Sequence, residues 1–352
     1  MSCEKITLSL GENSYDIHLE AGCLNRAGEL LDLKRKVLVV TDSGVPEDYA
    51  DAIAAASLAA EVVRIPQGEA SKNFDHFRLL LRRMLAFGMG RGDCVAAVGG
   101  GVVGDMAGFA AACYMRGIDF FNIPTTVLSQ VDSSIGGKTA IDLDGIKNVV
   151  GAFHQPRGVL VDPRVLSTLP GRQIANGLAE AVKMALCFDA EAFARFESLD
   201  PEAELAGLAS GQSSPALVRI ISDALNIKKK VVEADEKEQG LRRVLNFGHT
   251  LGHGIESMHS ENGLLHGECV ALGMLPMCSD SVRSRLLAVL SRLGLPVTCA
   301  SDPDRVMQAV VHDKKQYAGK IRSILVDTVG TFTEKELTPE ELRLLYTNYF
   351  SS

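Results

Sequence analysis

Apolar positions in the first half of the chain come in short runs separated by longer stretches of helical period. KVLVVTD (36–42), EVVRI (61–65) and DCVAAVGGG (93–101) are brief and almost continuously apolar, the pattern of strands buried on both faces. Between them, DYADAIAAASLA and FDHFRLLLRRMLAFG repeat apolar residues every three to four positions, as helices with one buried side do. This alternation predicts a βαβαβ unit and hence a parallel sheet covered by helices, with FFNIPTT (120–126) as a further strand. Beyond about residue 155 the strand signals fade, and amphipathic stretches such as GLAEAVKMALCF and PALVRIISDALNIKKKVVEAD take over. We expect an α/β N-terminal domain over 1–155 and a mainly α-helical C-terminal domain over 156–352, with GLASGQSSP (207–215) as a flexible loop. Two domains also suit a chain of 352 residues, which exceeds one comfortable core.

Composition changes this picture in three ways. Hydrophobic content of 46% and charged content of 23% are ordinary for a soluble protein, no apolar run reaches the roughly 20 residues that span a bilayer, and MSCEKITLSL lacks the apolar core of a signal peptide. A cytoplasmic location is expected, with no membrane partner. The eight cysteines are scattered without a CxxC pair, several of them inside apolar segments, and read as reduced core thiols. A net charge of −8 argues against a nucleic-acid partner. Yet Lys138, Lys147, Lys183, Lys228, Lys229, Lys230, Arg242, Arg243, Lys314 and Lys315 lie beside motif-like segments. Such cations suit a small anionic substrate, or they are solvated helix faces.

Four of the eight histidines fall between Arg242 and Glu268, in RRVLNFGHTLGHGIESMHSENGLLHGE. His249 and His253 are one helical turn apart, so both imidazoles project from one face and can reach a common ion, or they are polar groups in a helical core. Thr250 stands where the HExxH zinc-protease motif needs its glutamate, which excludes that chemistry. A carboxylate from elsewhere would have to complete a metal site, and Glu180 in GLAEAVK is the candidate. Glu180 and Lys183 also read as an ordinary exposed i, i+3 ion pair.

After the strand CVAAV, the segment GGGVVGD (99–105) satisfies G-x-G-x-x-G through Gly99, Gly101 and Gly104, ahead of a helix expected to begin near Met106. Glycines there let backbone amides approach a pyrophosphate at a helix N-terminus, unless they serve only a tight turn. The usual dinucleotide fingerprint follows the first strand, whereas here the first strand ends in TDSG, where Asp42 could hold a ribose. GGKT within VDSSIGGKTAIDLDGIKN resembles the end of a P-loop, but Asp132 replaces the required first glycine, so Walker-type chemistry is rejected. What survives is a loop carrying Asp132, Lys138, Lys147 and Asn148 that suits a phosphate or carboxylate, or is simply surface.

Together, GEASK, GGGVVGD, YMRG, IPTTVLSQVDSSIGGKT, GIKN, GLAEAVK, LNFGHTLGH, LHGE and DKK resemble the 3-dehydroquinate synthases, the NAD- and metal-dependent sugar phosphate cyclases of the shikimate pathway. The resemblance spans most of the chain and is weakest at its ends. It implies a Rossmann-like NAD-binding domain, a helical metal- and substrate-binding domain, an active site in the cleft between them, and a homodimer. On matching positions, it implies that Glu180, His249 and His266 bind zinc or cobalt. It also implies that Asp42, Glu69, Lys72, Gly101, Val102, Val103, Gly104, Asp105, Thr125, Thr126, Lys138, Lys147 and Thr168 line the NAD site. Asp132, Lys138, Lys183, Asn246 and His253 would be catalytic, while Arg116, Asn148, Lys228, Arg242 and Lys314 would bind substrate. Arg116 would reach the phosphate of the neighbouring subunit's ligand, and Lys228 with Arg242 would take the substrate carboxylate. The implied reaction is carbon–oxygen lysis: transient oxidation by NAD, elimination of phosphate, reduction, ring opening and aldol closure. Other sugar phosphate cyclases and the metal-dependent glycerol and alcohol dehydrogenases share this architecture, and a non-catalytic NAD sensor is the reading from outside the enzymes.

Overall fold

The computed structural model describes residues 3–210, 214–258, 263–313 and 319–350. The strands are β1 (Glu4–Leu8), β2 (Tyr15–Leu19), β3 (Lys36–Asp42), β4 (Ala59–Ile65), β5 (Cys94–Gly99), β6 (Asp119–Pro124), β7 (Lys138–Leu143), β8 (Ile146–Phe153), β9 (Gly158–Val161), β10 (Ile321–Leu325) and β11 (Thr333–Leu337). The helices are α1 (Ala27–Leu30), α2 (Glu47–Ala56), α3 (Phe74–Ala86), α4 (Gly101–Cys113), α5 (Gly171–Phe188), α6 (Ala190–Ser198), α7 (Pro201–Ala209), α8 (Pro215–Ala234), α9 (His249–Glu256), α10 (His266–Met274), α11 (Asp280–Arg292), α12 (Pro303–Asp313) and α13 (Pro339–Phe350). The chain divides into two compact units. One comprises Met1–Leu169, Ala206–Val218 and Lys228–Glu236, the other Pro170–Leu205, Arg219–Ile227 and Lys237–Ser352.

The first unit is built on a seven-stranded sheet in the order β1-β2-β9-β6-β5-β3-β4, parallel throughout except for the β1–β2 pair. The period of two explains why its central strands read as continuous apolar runs. Leu38, Val40, Val95 and Ala97 face α3 and α4, whereas Val37, Val39, Cys94, Ala96 and Val98 face α1 and α2, so both sides of the sheet are covered. The winding reverses between β3 and β5, which are neighbours in the sheet although β4 lies between them in sequence. At such a switch point the loops leaving the two strands diverge and open a crevice at their carboxyl ends, here at Asp42 and Gly99. The Gly-rich loop therefore lies at the switch point, even though it does not follow the first strand of the chain.

The second unit is mainly helical, as the amphipathic pattern implies, with one antiparallel hairpin, β10–β11. Three expectations need correction. β9 adds the run GVLV, whose four residues are all buried, to the parallel sheet beyond residue 155, and β10 and β11 lie later still. All three are short, and β11 (TEKEL) is almost wholly exposed, so periodicity alone does not announce them. The helix after the Gly-rich loop begins at Gly101, not near Met106. The loop expected over 207–215 is narrower, because α7 runs to Ala209 and α8 starts at Pro215, while 211–213 lie outside the described residues.

At the amino end of β6, Asp119 accepts hydrogen bonds from Arg35 (Nη1, 2.7 Å) and Arg157 (Nε, 2.8 Å). Burial alone would raise the pKa of this carboxyl, but the hydrogen bonds from Arg157 and Arg35 outweigh it and hold it below the usual value. Its folded pKa lies below the unfolded value of about 3.9, so its stabilisation is present above that pH and is lost as pH falls through the folded value. Asp119→Asn is accordingly expected to lower the urea midpoint most near neutral pH. Midpoints measured against pH should show the gap to wild type closing below about pH 4.

Candidate functional site

In the first unit, α4 begins directly at the end of β5, with Gly100 as N-cap and no side chain capping the helix. The amides of its first turn thus lack intrahelical partners and are suited to an anion. A Cβ on Gly101 would stand 3.1 Å from Ser133 Oγ, and one on Gly99 would stand 2.6 Å from Val103 Cγ2. The Gly104 N–H already donates to Gly100 O at 3.1 Å and Val103 is wholly buried in the core. Of the expected pyrophosphate loop, Gly101, Val102 and Val103 therefore offer first-turn amides and Gly104 does not. The Asp105 side chain pairs instead with Lys72 at 2.6 Å.

Lys72 gathers residues that the sequence leaves far apart. Its ammonium donates to Asp105 and to Asn148 Oδ1 and stands 3.8 Å from Glu69, while only 4% of its side chain is exposed. Burial pulls its pKa down, but Asp105 and then Glu69 overturn that and raise it. Asn148, expected to bind substrate, lies beside Lys72, expected to bind NAD. It reaches that place on the β7–β8 hairpin with φ 55°. Lys138 and Lys147 lie on the same hairpin. Asp42 is buried at the end of β3 and accepts from the Gly44 N–H at 2.7 Å. Thr125 donates its N–H to Gly99 O at 2.9 Å, Thr126 and Ser129 share a hydroxyl contact at 2.8 Å, and the Thr168 hydroxyl donates to Val165 O at 3.2 Å. Lys228, on α8, is ion-paired with Asp132 and also donates to its backbone carbonyl. Arg116 sits in a left-handed turn, with Met115 at φ 50°, Arg116 at 71° and Gly117 at 114°; strain of this kind gathers at functional positions.

In the second unit, α5, α9 and α10 bring Glu180, His249 and His266 together. Both imidazole Nε2 atoms approach Glu180 Oε1, at 3.5 Å from His249 and 3.4 Å from His266. Two donors each 2.0–2.1 Å from a tetrahedral ion stand about 3.3 Å apart, so this spacing suits a zinc-sized cation. Each ring's other nitrogen is already occupied: His249 Nδ1 by Phe247 O at 3.1 Å and His266 Nδ1 by Glu256 Oε2 at 3.0 Å. Both carboxylate oxygens of Glu180 are buried, and neither makes a hydrogen bond among the described residues, although Lys183 forms an ion pair with it. Unsatisfied buried oxygens facing two imidazoles fit a bound divalent cation. Glu180 and Lys183 are both about 1% exposed, so the reading of a surface ion pair is overturned.

Electrostatics agree with this fit. Burial would raise the Glu180 pKa, but Lys183, then His249 and His266, hold it well below the usual carboxylate range. Burial and then Lys183 keep His249 neutral, its pKa well below the ordinary imidazole value. Burial opposes protonation of His266 too, yet the carboxylates of Glu180 and Glu256, one facing each ring nitrogen, raise its pKa to about 10. A proton there occupies the position that a cation would take.

The triad rests on helix crossings that admit no side chain. A Cβ on Gly273 of α10 would overlap Gly248 O and lie 2.6 Å from Gly252 N, and one on Gly252 would lie 3.0 Å from Cys269 O. Gly248 adopts φ +76°, with Val270 O 2.8 Å from where its Cβ would be. On the α5 side, a Cβ on Gly267 would overlap the Asn176 carbonyl, and the Gly267 N–H donates to Asn176 Oδ1 at 2.7 Å. Arg172 of α5 clamps Glu268 of α10 with two 2.7 Å hydrogen bonds. Arg172, Asn176, Glu256 and Glu268 escaped the sequence reading; Glu256 had a signal, lying three residues beyond His253 on one helix face. Arg242 and Asn246 lie on the turn before α9, with Arg242 buried and Asn246 donating to Glu238 at 2.8 Å, and His253 lies one turn past His249. Lys314 falls outside the described residues. Gly273→Ala is expected to destabilise the protein by about 1–3 kcal/mol and to weaken zinc binding, measured by denaturant melts and chelator competition.

Comparison with known proteins agrees with both halves. The family model described as 3-dehydroquinate synthase N-terminal matches residues 62–176, and that described as 3-dehydroquinate synthase C-terminal matches residues 177–316. The 3-dehydroquinate synthase of Pelobacter propionicus is 41% identical, the match covering 97% of this chain and 98% of that protein. Among solved structures, the 2-epi-5-epi-valiolone synthase ValA of Streptomyces hygroscopicus, with NAD+ and Zn2+ bound, superposes with a TM-score of 0.86 at 28% identity over 97% of this chain and 98% of that one. A 2-deoxy-scyllo-inosose synthase complexed with carbaglucose-6-phosphate, NAD+ and Co2+ gives a TM-score of 0.85 at 26% identity over 99% and 100%. From this agreement along its length, the chain belongs to the 3-dehydroquinate synthase family.

Proposed function

We propose that the chain is a phosphate-eliminating lyase that converts 3-deoxy-D-arabino-heptulosonate 7-phosphate to 3-dehydroquinate, using NAD catalytically and a divalent metal. The observation that carries the metal half is the Glu180, His249 and His266 triad with its unsatisfied carboxylate oxygens. The NAD half is supported by the uncapped first turn of α4 at the switch point, with Asp42, Glu69, Lys72, Lys147, Thr125, Thr126 and Thr168 in the same unit. When bound, the metal would polarise substrate hydroxyls and NAD would accept and return one hydride.

The chain's own residues would supply position and charge. Lys183, buried against Glu180, keeps a cation next to the triad and favours oxygens that become negative. Asp132 holds the Lys228 ammonium, while Lys138 brings a further cation on the same unit. Arg242 presents a buried guanidinium suited to a carboxylate, and Asn246 and His253 flank the triad along the chain. A carboxylate-binding role for Lys228 and Arg242 separates this reading from cyclases whose substrates lack that group. The family resemblance adds a cytoplasmic homodimer in which Arg116 reaches the neighbouring subunit's phosphate. A small phosphorylated anion also suits a protein whose charge is −8 but whose site residues include many cations.

Incubation with this substrate, NAD+ and zinc or cobalt should release phosphate and form 3-dehydroquinate without net NADH; NADH accumulating on simple alcohols instead would make the chain a dehydrogenase. Arg242→Ala is expected to lower kcat/KM for this substrate by about 10- to 100-fold, the loss of one charged hydrogen-bonding partner. Unchanged steady-state kinetics would remove Arg242 from the carboxylate site.

A further inference from the structure

Glu256 has no part in the reaction just described, yet its carboxylate lies behind one corner of the triad. Its Oε2 stands 3.0 Å from His266 Nδ1, while the opposite nitrogen of the same ring stands 3.4 Å from Glu180 Oε1. The imidazole is thus held at both ends. Glu256 ends α9 seven residues after His249, two turns along the same helix face. One short helix therefore supplies a ligand through His249 and a partner for the ligand on α10. His249 is oriented in the same way, but by the Phe247 carbonyl, which no side-chain substitution removes.

We propose that Glu256 is a positioning residue for the metal centre: it fixes His266 as the Nδ1–H tautomer, so that Nε2 faces Glu180 and the cation. The inference rests on the triad reading. Its physical basis is general, since a ligating histidine whose outer N–H is held by a carboxylate has a fixed ring and a more basic donor nitrogen, and loss of that partner weakens metal binding by about 10- to 100-fold. The geometry contains a rival arrangement. His253, Glu256 and His266 also place one donor atom each within 4.8 Å of one another, and a cation there would make Glu256 a ligand and use His266 Nδ1. The geometry at Glu180 favours the first arrangement, because Lys183 pairs with Oε2 and the rival leaves the buried Oε1, which faces both imidazoles, without a bound ion.

The test is metal binding by the full-length protein, stripped with chelator and titrated with Co2+ alone, read by competition and by the visible spectrum of the bound ion. Glu256→Ala is expected to weaken Co2+ binding about 10- to 100-fold with one site per chain retained, and Glu256→Gln to recover part of that loss through its amide oxygen. The metal-free protein should melt only slightly below wild type in both variants, by the weakened contact with His266, whereas a merely structural role would lower the melting temperature in proportion to the lost affinity. His253→Ala should leave Co2+ affinity intact. Wild-type affinity and spectrum in Glu256→Ala would overturn the proposal, as would a metal-free protein that melts early in proportion to its lost affinity. An equal loss in His253→Ala and Glu256→Ala, with none in His249→Ala, would establish the rival site instead. If the wild-type protein itself takes up no Co2+, the triad reading falls and the inference with it, an outcome distinct from a wild type that binds beside a variant that binds equally well.

Discussion

The constraint on which the second unit depends is backbone meeting backbone where α9 crosses α10. Gly248, Gly252 and Gly273 leave no room for a methyl group, so the two helices approach more closely than side chains would permit. This proximity puts His249, at the start of α9, beside His266, at the start of α10. A ligand pair positioned by main chain is stiffer than one positioned by flexible stems, because close-packed backbone has little freedom to yield. The third candidate ligand comes from α5, and the same device recurs there: Gly267 lies against the Asn176 carbonyl, with the Arg172–Glu268 clamp outside it. Three helices are thereby held at the distance that a small cation needs.

Charge is handled in the same spirit in each unit. Removing Glu180 and Lys183 from water is costly, and a well-packed apolar pair would serve stability at least as well. Their retention in the middle of α5 makes sense as chemistry: together they are neutral, Lys183 pairs with one carboxylate oxygen, and a bound divalent ion would complete the other, which faces the two imidazoles. In the first unit, Lys72 is held by Asp105 and Glu69, and Lys228 by Asp132. Each cation is thus preorganised by a carboxylate, so that little rearrangement is needed when an anion arrives.

The parallel sheet was legible because its strands are buried on both faces and its helices on one, which imposes distinct periods on the sequence. Its extension was not: GVLV is four residues long, and no period can be read from so few. The Gly-rich loop was recognisable as a close approach, but the helix start was misplaced because glycines are poor helix formers by propensity. Here β5 delivers them directly into the first turn of α4, and packing against the sheet overrides that propensity.

For the site, the sequence by itself determined the candidate ligand types and the helical spacing that puts His249, His253 and Glu256 on one face. It also carried the family motifs that mark Glu180 and His266 as their companions. Only the tertiary structure decided which two histidines share an oxygen of Glu180, that Glu180 and Lys183 are buried instead of paired at the surface, and that Asn148 lies beside Lys72. The reason is physical: spacing along one element is set by local backbone geometry, whereas contacts between elements depend on how closely their backbones pack. In this chain, that packing is controlled by glycines, whose part in it shows only once the opposing carbonyl is in place.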